Sequence, residues 1–138
     1  AGAITIKRTW RSKGVDIKRE VDPKDFENIY DALKKRWVIT FPQGTTKPFA
    51  PGRKGTAFII KEMKPVVVPV VINGFWRAFN RKGLVFKKKG TNLSVQFKPP
   101  LDIDYSKSVE DILDMIMNAI EQSTDFKMKG RHHHLQPS

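Results

Sequence analysis

The residues with the clearest chemical meaning are Gly44, Thr45, Thr46 and Lys47, set behind Phe41-Pro42-Gln43 and followed by Pro48-Phe49. A loop of this kind between an apolar strand and a helix leaves backbone N–H groups unpaired and converging, with a cation beside them. That combination suits an anion. The spacing alone is weakly specific, because ordinary strand-to-helix loops use the same turn residues and bind nothing. Two further groups join the loop if the strands are parallel neighbours: Arg8 at the end of a first strand and Asn73-Gly74 at the end of a third. In an open parallel sheet the carboxyl ends of the strands share an edge, and ligands sit beyond it. An Arg fork and a Lys point charge on that edge would hold a phosphate monoester.

The elements that must position these residues follow from the apolar pattern. Ala3 to Arg8 reads as a strand, and Arg11-Ser12-Lys13-Gly14 as a polar turn. Asp22-Pro23-Lys24-Asp25 is a helix start, with a cap candidate, a proline at the first helical position and an early acid. Phe26, Ile29, Tyr30 and Leu33 then continue at helical spacing to Lys34-Lys35-Arg36, cations that suit a helix end. Trp37 to Phe41 reads as a buried strand, and Gly55 to Met63 as a short helix stopped by Lys64-Pro65. Val66 to Ile72 is apolar throughout, as expected for a strand covered on both faces, although Pro69 within it signals a bulge or an edge.

The order β-α-β-α-β predicts an α/β layered fold with a mainly parallel central sheet flanked by helices. Beyond Asn73-Gly74, residues 84–88 and 92–97 read as a hairpin turning over Lys89-Gly90-Thr91. Ser108-Val109-Glu110-Asp111 opens a last helix with Val109, Ile112, Leu113, Ile116 and Ile120 on one stripe. Residues 1–126 are expected to form part of one domain, and 127–138 a loose basic tail.

At 138 residues the chain is long enough for one domain with a core and too short for two ordinary ones. Lys and Arg number 26 against 14 Asp and Glu, a net +12 that favours nucleic acid, an anionic membrane surface or phosphorylated substrates. The absence of cysteine excludes disulfides, thiol catalysis and Cys-based metal sites. No apolar run has the length of a membrane-spanning helix. The chain opens at Ala1-Gly2-Ala3 already inside an expected strand, and so reads as a cut piece of a longer domain.

Three blocks of the chain resemble the glycerolipid acyltransferase family, of the lysophosphatidic acid acyltransferase type. Phe41-Pro42-Gln43-Gly44-Thr45 is similar to its F-P-E-G-T-R-S block. Gly2-Ala3-Ile4-Thr5-Ile6-Lys7-Arg8 resembles the block before it, and Val68-Pro69-Val70-Val71 the proline-containing strand after it. The resemblance implies transfer of a fatty acyl group from a thioester of coenzyme A or acyl carrier protein to the hydroxyl of a lysophospholipid. By the same implication Arg8, Gln43, Gly44, Thr45, Thr46 and Lys47 bind the acceptor phosphate, and Pro69 shapes the acyl-donor region. No metal and no cofactor beyond the acyl donor is implied, and the location that the resemblance implies is cytoplasmic, peripheral on the inner face of a membrane.

The family's catalytic pair is H-x-x-x-x-D, a His base oriented by an Asp. These 138 residues do not contain it, since the histidines are His132, His133 and His134 with no Asp at the required distance. The resemblance therefore implies a C-terminal part of the domain, with the pair upstream of Ala1. Two departures bear on the acceptor. Gln43 stands where the family usually has Glu, and Thr46 where it has Arg; Lys47 is not an equivalent replacement.

Other features have two readings. Arg81-Lys82 and Lys87-Lys88-Lys89 either guard a strand edge or meet lipid headgroups or an acidic carrier protein. Phe75-Trp76 and Phe79 are either core or an interfacial patch, the histidine triplet lacks supporting carboxylates for a metal, and Met115 and Met117 fit helix packing. The alternative function is a non-catalytic basic module for nucleic acid or anionic lipid, with Trp10, Trp37 and Trp76 stacking on bases. No recognised nucleic-acid-binding motif accompanies the charge, so nucleic acid is not the favoured partner.

Overall fold

The computed structural model describes residues 10–12, 15–17, 23–79, 85–87 and 89–127. They fall into two compact units divided between Thr40 and Phe41. In the first, strands β1 (Trp10–Ser12) and β2 (Val15–Ile17) pair antiparallel with Arg11 opposite Asp16. Arg11 and Ser12 thus belong to a strand, while Lys13-Gly14 lie outside the described residues. Helix α1 (Pro23–Lys35) has Asp25 in its first turn and Lys34 and Lys35 in its last, and it buries Ile29 and Ala32. Its start and end agree with the apolar spacing. The cap candidate Asp22 and the expected first strand, Ala3 to Arg8, lie outside the described residues.

In the second unit, helix α2 (Lys54–Met63) packs on helix α4 (Val109–Ala119). Ala57 and Ile60 from α2 meet Ile112, Leu113, Ile116 and Met117 from α4, and Ile103 completes the cluster. Leu101, Val67 and Tyr105 pack around it. Ser108 caps α4, its Oγ accepting from the Asp111 N–H at 3.1 Å, as the capping-box pattern predicts. Lys64 ends α2 in the left-handed conformation at φ 47°, just before Pro65.

Strand β3 (Val70–Asn73) leads through Gly74 into the single turn α3 (Phe75–Ala78), and β4 (Ser94–Phe97) returns alongside β3. The pair is antiparallel, with Val70 opposite Phe97 and Ile72 opposite Val95. The expected mainly parallel central sheet is therefore wrong for the described residues, which contain two antiparallel two-stranded sheets. Apolar runs mark strands without stating who their neighbours are. Here β3 takes segment 94–97, which comes back antiparallel after the 74–93 connection that contains the turn at 75–78.

Three local expectations fall with the parallel sheet. Residues 37–41 form no strand, and Trp37 and Ile39 are 91% and 84% exposed instead of buried. The run from Val66 becomes a strand only at Val70, with Val66 exposed. The arm around Phe86 bridges Phe79, and Lys87 N–H donates to the Ala78 carbonyl at 2.6 Å, so 94–97 pairs with β3 and not with that arm. Pro69 is accommodated because it precedes the ladder and contributes only a carbonyl, which accepts from the Lys98 N–H at 2.9 Å.

Candidate anion-binding loop

The loop from Pro42 to Ala50 is built by short-range bonds and then tied down by distant ones. Gly44, at φ 60°, donates its N–H to the Phe41 carbonyl at 2.9 Å, a turn in which a positive φ favours glycine. The Lys47 N–H bonds the Thr45 hydroxyl at 3.3 Å, and the Ala50 N–H bonds the Lys47 carbonyl at 3.4 Å. The two ends are joined where the Arg53 N–H meets the Pro42 carbonyl at 2.9 Å, so the loop closes at the first residue before α2.

Gln43 fastens the interior. Its Nε2 donates to the Ala50 carbonyl at 3.0 Å and to Gln122 Oε1 at 3.2 Å. The same Gln122 oxygen accepts from the Phe49 N–H at 2.9 Å. Arg53 adds an outer tie, its Nε donating to the Gln43 carbonyl at 3.2 Å.

These bonds redistribute the expected site. The N–H groups of Gly44, Lys47 and Phe49 are occupied within the loop and on Gln122. Among the described residues the N–H groups of Thr45 and Thr46 make no hydrogen bond, and Thr45, Thr46 and Lys47 are exposed side by side. The donors left on this exposed stretch are thus two N–H groups, the Thr46 hydroxyl and the Lys47 ammonium, with the Arg53 Nε bonded to the Gln43 carbonyl.

Of the other predicted residues, Arg8 lies outside the described residues. Pro69 is buried, between the end of α2 and the start of β3. Asn73-Gly74 share no parallel edge with the loop, because Asn73 pairs antiparallel with Ser94 and Gly74 packs against the Asn92 backbone. A shallow cavity of about 350 Å³ opens between Ala78, Phe86, Lys89, Thr91 and Leu93, and no loop residue lines it.

Two contributors escaped sequence reasoning. Arg53 adjoins the loop in sequence, and its place before an expected helix was the available signal. Gln122 sits 73 residues beyond Phe49, and nothing local to it points back to the loop.

Charge beside the loop is partly engaged. Lys54 pairs with Glu110, joining the first residue of α2 to the first turn of α4, and its hydrogen bond holds the Glu110 carboxyl below the ordinary 4.5. Asp104 is likewise lowered, first by the Ser106 hydroxyl and then by the Ser106 N–H. No group of three or more His, Asp or Glu arranged for a metal occurs among the described residues, and His132–His134 lie outside them.

Compared with protein-family models, curated proteins and solved structures, the chain matches none. The chemistry of the loop therefore rests on its own donors. N–H groups, a hydroxyl and cationic side chains of this kind are suited to holding an anion.

Proposed function

We propose that this chain is the acceptor-binding part of an acyltransferase that moves a fatty acyl group from acyl-CoA or acyl carrier protein to a lysophospholipid. The observation that carries the reading is the F-P-Q-G-T loop, closed on itself and presenting Thr45, Thr46 and Lys47 outward, in the order of blocks that resembles the family. The acceptor phosphate sits on the Thr45 and Thr46 N–H groups and the Lys47 ammonium, with Arg53 beside it. The His–Asp pair that takes the acceptor's hydroxyl proton is not among these 138 residues, so they supply binding and orientation only.

A second reading, peripheral binding to an anionic lipid surface, is favoured by Lys34-Lys35-Arg36 running directly into the exposed Trp37. Among the described residues no helix is long and apolar enough to cross a membrane.

Titration of the chain with lysophosphatidate below its micelle-forming concentration separates these readings. Lys47→Ala is expected to weaken binding about fivefold to tenfold, the loss of one charge-assisted contact. Equal affinity in the variant would remove Lys47 from the site. Binding to anionic vesicles that ignores Lys47 altogether would favour the second reading.

A further inference from the structure

Two side chains from opposite ends of the second unit meet under the loop. Gln122 follows the turn that ends α4, where Glu121 adopts φ 58° and its carboxylate pairs with Lys98 at 3.3 Å. The Gln122 N–H is anchored to the Met117 carbonyl at 2.9 Å, and the core of α4 fixes that end of the helix. Its Oε1 then receives both the Phe49 N–H and the Gln43 amide.

Phe49 is itself in the left-handed region at φ 56°, where a bulky side chain is strained. Such conformations persist only where the surroundings over-determine them. The bond from Phe49 to Gln122 supplies that constraint at the position where the loop reverses toward α2. Gln43 uses its N–H groups in both of its side-chain bonds, to the Ala50 carbonyl and to Gln122. A carboxylate at position 43 has no proton for either acceptor and would face the Gln122 oxygen with a like partial charge.

We infer that Gln122 is a positioning residue for the anion-binding loop, and that Gln43 and Gln122 are a matched pair. Gln43 clamps the loop from inside and does not contact the acceptor. This role rests on the proposed function, since it concerns the same loop, but the clamp is measurable without any ligand. The pair also explains why an amide is suited to position 43 of this chain, where a glutamate is usual in the family it resembles.

The test is amide-resolved NMR on the full chain with inorganic phosphate as probe, comparing the wild type with Gln122→Ala, Gln122→Glu and Gln43→Glu. The carboxylate introduced by Gln122→Glu keeps an acceptor for both bonds, and so separates the clamp from a general effect of substitution. Expected results are phosphate-induced shifts at Thr45 and Thr46, an affinity about tenfold weaker in Gln122→Ala and Gln43→Glu, and rescue to within about threefold in Gln122→Glu. The Phe49 amide should exchange faster in Gln122→Ala while amides of α2 and α4 keep their protection.

Unchanged Phe49 exchange in Gln122→Ala overturns the clamp. Faster exchange with undiminished phosphate affinity overturns the positioning role and leaves the site standing. Failure of the wild type to bind phosphate overturns the site and with it the role, while the Phe49 exchange still reports the clamp.

Discussion

Gln43 and Thr46 separate two jobs that a short motif confuses. Gln43 faces into the loop and holds it, while Thr46 faces out with its N–H unbonded among the described residues. Position 46 is therefore where a cation would reach a bound phosphate, and Thr46→Arg should raise affinity for inorganic phosphate about tenfold through a forked contact. Calorimetric titration checks it, and an unchanged or weaker affinity would place the anion elsewhere. At this scale the sequence was informative about which residues gather and silent about which way they face. Gly44, Thr45 and Lys47 lie in one loop as the residue types suggest, but only the hydrogen bonds reveal that the Lys47 N–H is consumed by Thr45. Gln122 was invisible because a side-chain contact across 73 residues leaves no local pattern.

The helices carry the loop and the strands do not. α2 and α4 share a core of Ala57, Ile60, Ile112, Leu113, Ile116 and Met117, and the loop is stitched to the start of one and the end of the other. Their sequence signals were strong because the same residues that make the apolar stripe also make the contact, and Ser108 marks the beginning of α4 chemically. Strand signals were weaker. Trp37, Ile39 and Val70 have strand-like chemistry, yet pairing depends on partners that no local pattern names. Gly74 shows how closely the β3–β4 pair is fitted. It has φ 87°, and a Cβ there would be driven into the Asn92 carbonyl. Gly74→Ala should destabilise the chain by roughly 3 kcal/mol, combining left-handed strain with displacement of the β4 approach. A urea midpoint equal to that of the wild type would contradict this packing.

At the scale of the whole molecule, charge and uncovered apolar surface coexist. The chain carries +12, and Val70, Ile72, Val95 and Phe97 share one face of the β3–β4 pair, with Phe97 72% exposed. The +12 charge favours anionic partners without marking a place for one, because composition does not say which cations neighbours hold. Lys54 is engaged by Glu110 and Lys98 by Glu121, whereas Arg53 is held against the loop by its bond to the Gln43 carbonyl. General attraction to polyanions and a built phosphate site therefore differ in where the perturbation falls and in how steeply it fades with salt.

The most direct measurement is a map of backbone amide shifts during titration of the chain with glycerol 3-phosphate at low and at physiological salt. A phosphate site at the loop predicts saturable shifts concentrated at Thr45, Thr46 and Lys47, with the Arg53 side chain responding, at both salt concentrations. Small shifts spread over the lysine-rich surface and erased by salt would contradict it.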